Sequence, residues 1–149
     1  MAKLVGIVGV VVALAVVGAA LAASTTTYSY RATLSSKNEV PAPTASAKAA
    51  GVFTATVTDK QGKASIRWTL TFRRLSGKAV AAHIHKGAAG VAGPVVVPLC
   101  GPCRNGQNAR QAIDHDLAEA LEKGGYYVNV HTAKNQGGEV RGQLKLVGG

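Results

Sequence analysis

An all-β domain, an antiparallel β-sandwich of about seven strands with one short helix, follows from three features of this chain. Residues 64–72 alternate strictly, with Ile66, Trp68, Leu70 and Phe72 on one face and Ser65, Arg67, Thr69 and Thr71 on the other. Turn-forming residues punctuate the chain at short intervals, as at Asp59-Lys60-Gln61-Gly62 and again at 133–138. Only one stretch, 114–123, carries apolar residues at helical spacing.

The 149 residues are enough for one domain and hardly for two. Residues 1–22 read as a leader. Lys3 supplies one positive charge, Leu4 to Leu21 carry none, and Ala20-Leu21-Ala22 is a small-x-small cleavage pattern. That order predicts a cleaved secretory signal and a secreted or cell-envelope protein. An uncleaved N-terminal anchor is the alternative, since 18 apolar residues sit at the lower limit for a bilayer span. Gly6, Gly9 and Gly18 weaken that stretch, and no basic cluster follows it.

Residues 23–149 form the β-sandwich domain. Its first strand is expected over 28–34, followed by a loop over 35–50 that holds Pro41 and Pro43. A second strand, 51–58, ends in the turn at 59–62. The clearest strand, 64–72, comes next, then one over 79–85. The near-continuous valines of 94–99 predict a more buried strand. In the helix, Asp114 can cap the N-terminus, Leu117 and Leu121 lie four apart, and Gly124 can end it. Strands over 126–131 and 139–146 close the chain as a hairpin. Seven strands with turns between them predict a sandwich of the immunoglobulin-like kind.

Formal net charge is +10. Lys3 lies in the leader, so the mature part carries 16 Lys/Arg against 7 Asp/Glu. Such a surface favours an anionic polymer, such as a wall polymer or acidic polysaccharide. The cations are scattered along the sequence without aromatic interleaving, and no nucleic-acid partner is expected. No membrane contact is expected beyond the leader. The ligand of the cell envelope or exterior is not specified by these residues.

Three segments together resemble the chordin (CHRD) domain family. They are Leu34-Ser35-Ser36-Lys37-Asn38-Glu39-Val40-Pro41, then Ala82-His83-Ile84-His85-Lys86-Gly87 continuing to Gly93-Pro94-Val95-Val96, and Tyr127-Val128-Asn129-Val130-His131-Thr132 followed by residues 138–144. The resemblance spans nearly the whole mature chain. The sequence departs from the family pattern at Ala42, where a second proline is common, and at the inserted Cys100-Gly101-Pro102-Cys103. What the resemblance implies is an immunoglobulin-like sandwich with a binding or structural role and no general enzymatic activity.

The chemistry rests on the histidines. On a strand, His83 and His85 project to one face about 6–7 Å apart, with Ile84 turned to the core. Asn129 and His131 share a face in the same way. If the two strands are neighbours, three imidazoles converge into a set that suits copper or zinc. The alternative is a wet sheet face whose histidines hydrogen-bond Glu39 or Glu139. Asn129, Glu139 and Arg141 are expected as supporting residues, either orienting His131 or, for Glu139 and Arg141, as an ion pair across the sheet. His83-Ile84-His85 before a Gly-rich loop also resembles, more weakly, the copper strand of copper–zinc superoxide dismutases. The rest of that ligand pattern does not follow, so no activity is carried over. No catalytic residue is expected, and a copper- or zinc-dependent oxidoreductase on the same histidines is the alternative function. His115, between Asp114 and Asp116, reads as a surface residue.

Cys100 and Cys103 are expected as a short-loop disulfide in an oxidising compartment. Soft-metal binding and thiol–disulfide exchange are the alternatives, the latter because the pair has thioredoxin-like spacing. Loop residues 104–108 follow where that chemistry would place a helix.

Overall fold

The structure is a computed structural model that describes residues 24–45 and 48–149. The leader expected over 1–22 lies outside the described residues. Among those residues, nine strands form one antiparallel sheet: β1 (Thr25–Ser35), β2 (Ala50–Lys60), β3 (Lys63–Arg73), β4 (Ala79–Lys86), β5 (Val95–Cys100), β6 (Gln107–Ile113), β7 (Tyr126–Thr132), β8 (Val140–Gln143) and β9 (Lys145–Gly148). One helix, α1 (His115–Glu122), joins β6 to β7.

The spatial order is β5-β4-β7-β8-β1-β2-β3-β6, with β9 also paired to β1. This corrects the expected seven-stranded, two-sheet sandwich. The sheet curls until its outer strands approach each other, and the Gln111 side-chain amide on β6 donates to the Pro98 carbonyl on β5 at 2.9 Å. A nearly closed barrel results. Proline fits β5 because an edge strand can spare its missing N–H.

Period-two patterning builds the interior. Tyr30, Leu34, Phe53, Ile66, Trp68, Leu70, Ile84, Val97, Val128, Val130 and Val140 are all at most 2 % exposed. Phe53 and Trp68 stack with ring centroids 6.2 Å apart. Their burial, at about 25 cal/mol per Å² of apolar area, is the main term favouring the barrel. Three further expectations are corrected here. The valine-rich strand β5 is an edge with only Val97 and Leu99 buried, whereas β7 is buried along its whole length. The last strand divides at buried Leu144, so that β8 and β9 share one edge of β1. Asp114 does occupy the helix N-cap, but its side chain makes no capping hydrogen bond. At the other end Gly124 takes φ +79°, which suits a glycine helix stop. Among the described residues no helix is long and apolar enough to cross a membrane.

Candidate metal centre

β4 and β7 are neighbours, and their register sets Ala81 opposite His131 and His83 opposite Asn129. Because Ile84, Val128 and Val130 fill the interior, His83, His85, Tyr127, Asn129 and His131 all stand on the outer side of the barrel wall. The His83 and His85 ring centroids are 5.5 Å apart, and that of His131 lies 4.8 Å from His83 and 6.1 Å from His85. One donor atom from each of the three falls within 4.8 Å of the others.

This face is not wet, which corrects the sequence expectation. His85 is 7 % and His131 8 % exposed, and only His83 is half-buried at the rim. Two loops roof it. The Gly93 carbonyl accepts from His85 Nδ1 at 2.8 Å, and the Gln136 carbonyl accepts from His131 Nδ1 at 2.8 Å. A carbonyl only accepts, so both rings carry a proton on Nδ1, which leaves Nε2 as the nitrogen that offers a lone pair in the neutral ring. His83 Nδ1 lies 3.0 Å from His131 Nε2 and is therefore the donor in that pair. His85 Nε2 is buried with no partner. Burial and the neighbouring imidazoles of His131 and His85 push the His83 pKa down to about 4. Burial likewise lowers that of His131, against the Gln136 hydrogen bond. Both rings are neutral donors at neutral pH.

Glu39 and Glu139 do not serve the histidines. Glu139 accepts hydrogen bonds from the Ser76 backbone N–H and hydroxyl, the Thr132 hydroxyl and the Asn135 amide, at 2.6–3.0 Å. Burial alone would raise its pKa, but these donors outweigh that and hold it below the usual carboxylate range. The network pins the 133–138 turn that carries the Gln136 carbonyl. Arg141 forms no ion pair with Glu139. Its Nη2 donates to the Ala88 and Val91 carbonyls at 2.7 and 2.9 Å, and its guanidinium lies 3.4 Å from the centre of the Tyr127 ring. Tyr127 stacks in turn on His85, with centroids 4.8 Å apart and planes 6° off parallel, and its hydroxyl accepts from the Gly93 N–H. Arg141 and Tyr127 thus brace the loop that orients His85.

Asn129 stands opposite His83, but its side chain hydrogen-bonds Glu39. Its amide nitrogen and Glu39 Oε2 both crowd the Cα of Gly138, where any side chain would collide with them. Tyr127 was readable from the sequence, since it shares a face with Asn129 and His131. The Gly93 and Gln136 carbonyls were not, because no side-chain pattern reports a loop's backbone direction. His115 is exposed and binds Asp59 and Glu119. Cys100 and Cys103 lie at disulfide distance, S–S 2.07 Å.

The fold and this face define a class: an all-β domain whose barrel wall gathers three histidines. The CHRD domain family model matches residues 30–144, and the chain belongs to that family. No curated protein and no solved structure matches it.

Proposed function

We propose that this chain is an exported, non-enzymatic binding module that holds one copper or zinc ion through His83, His85 and His131. The observation that carries this reading is His85 Nε2, buried, unpartnered and grouped with the donor atoms of the other two rings. An orphaned buried acceptor costs about 1–3 kcal/mol, and a metal bond removes that cost. Backbone carbonyls that fix the Nδ1–H of His85 and His131 are the usual outer support of metal-bound histidines. Metal–nitrogen bonds of about 2.0–2.1 Å in tetrahedral geometry set donors about 3.3 Å apart. The 3.0 Å separation of His83 and His131 is close to that, and the set as a whole, spread over up to 4.8 Å, would draw together around an ion. To hold a metal, His83 would present Nδ1 as a lone pair and carry its proton on Nε2.

The all-imidazole donor set, with no thiolate or carboxylate, suits copper and zinc over calcium or magnesium. Family membership supports an extracellular setting, with residues 1–22 as the leader. The second reading, an oxidoreductase using the same metal, draws on the partial exposure of His83, which leaves a coordination position toward solvent.

Calorimetric titration of residues 23–149 with Cu(II) and Zn(II) tests the proposal. The expected result is one ion per chain, bound at least about 100-fold more weakly by His83→Ala/His85→Ala, since ligand loss removes bonds that nothing else supplies. Unchanged binding by that variant would dispose of the site.

A further inference from the structure

The chain has seven acidic residues, and the fold segregates them. Glu39 and Glu139 are buried. Asp59, Asp114, Asp116, Glu119 and Glu122 gather around α1 and the end of β2, where His115 pairs with Asp59 and Glu119. Glu39 lines a cavity at the β1–β9 edge together with Arg31 and Lys145, and the other six lie away from the outer side of the β9-β1-β2-β3-β6 wall.

That wall holds the opposite charge. Period two turns Arg31 outward from β1, since Tyr30 and Ala32 fill the interior, and turns Arg67 outward between Ile66 and Trp68. The register sets Lys145 directly opposite Arg31 and Arg110 directly opposite Arg67. All four are exposed. Like charges directly opposite each other destabilise a sheet. Two such pairs on one face, with none of the four cations in an ion pair among the described residues, form a local conflict that an external anion would resolve. Between them lie Thr54, opposite Arg31, and Thr69, opposite Thr54, so hydroxyls link the two cation pairs. Arg31, Thr54, Arg67 and Thr69 line a shallow depression of about 340 Å³. Four strand spacings put β9 and β6 about 19 Å apart along the curved wall.

We propose that this cation-and-hydroxyl wall is a binding surface for an acidic polysaccharide. The partner's chemistry follows from what the face presents. Arginines and a lysine suit carboxylate or sulfate groups, and threonine hydroxyls suit sugar hydroxyls. No aromatic side chain points outward from these strands, so the base stacking that single-stranded nucleic acid requires has no platform. The surface lies on different strands from the histidines, and its occupation does not depend on metal.

The test compares two variants of equal charge change, Arg31→Gln/Arg67→Gln/Arg110→Gln/Lys145→Gln on the wall and Lys78→Gln/Lys86→Gln/Lys123→Gln/Lys134→Gln elsewhere. Binding to dextran sulfate, polygalacturonate and neutral dextran is measured with a chelator present, so a failed metal site does not affect the result. The expected outcome is that both charged polymers bind, that neutral dextran does not, and that the wall variant loses about tenfold or more against about threefold or less for the control, in line with four exposed charge contacts. The wall variant is expected to melt no lower than the parent, because two repulsive pairs are gone, and the charged polymers are expected to raise the parent's melting temperature. Equal losses in the two variants, equal binding of neutral dextran, or binding to phosphatidylglycerol vesicles but to neither charged polymer would overturn the proposal.

Discussion

His85 owes its orientation to contacts on two sides, the Gly93 carbonyl at Nδ1 and the Tyr127 ring against its face. Glu39 and His83 titrate in opposite senses. Burial pushes the Glu39 pKa up to about 7, against the Val40 N–H, the Arg141 charge and Asn129. A carboxyl raised in the fold binds a proton that the unfolded chain releases above about pH 4.5. Its contribution to stability is therefore present in acid and lost as pH rises from about 4.5 to about 7. His83, lowered to about 4, acts the other way: its contribution is present above about pH 6.5 and lost as pH falls toward 4. The expected result for Glu39→Gln is a stability difference, variant minus parent, that grows over pH 4.5–7 and is flat above. Denaturant unfolding across that range checks it, and a pH-independent difference would contradict the assigned burial. At this level the sequence was legible for side chains that obey period two. It did not reveal that Glu39 points at Gly138 and Asn129, because long-range loop packing sets that contact.

The hairpin and strand pairings divide into those that patterning reveals and those that it hides. β3 alternates cleanly and was readable almost to its ends, β4 was readable despite a bulge between Ala79 and Ala81, and the β7–β8 hairpin was readable except for the break at Leu144. β6 escaped notice because Gln107–Ile113 mixes amides, an arginine and alanines, and its inner face is only half-buried. The valines of β5 mimic a buried strand, yet the strand is an edge that covers the interior with two residues. Between the two β4 histidines, Ile84 is fully buried and anchors that strand to the interior. Ile84→Ala is expected to cost about 2–5 kcal/mol, the range for an aliphatic-to-alanine cavity that relaxes only partly. The same change should weaken copper or zinc binding, since both ligands ride on that strand. Thermal unfolding and metal titration of the variant check the pair. A loss of stability with unaltered metal affinity would mean the histidines are positioned by the loops alone.

Curling one sheet into a nearly closed barrel leaves an inside filled with aliphatic and aromatic side chains and an outside with two unlike faces. One, on β4 and β7, is roofed by loops and carries three imidazoles. The other, on β1–β3, β6 and β9, is open and cationic. Net charge was readable from composition, but its segregation was not, because strand order decides which arginines become neighbours. The role proposed for the β4–β7 face requires that the three imidazoles share one ion. X-ray absorption at the metal edge of copper- or zinc-loaded protein tests this most directly. Three imidazole nitrogens at about 2.0–2.1 Å and no sulfur scatterer are predicted, with the imidazole signal lost in His83→Ala/His85→Ala. A sulfur shell at about 2.3 Å, or an imidazole signal unchanged in the variant, would contradict it.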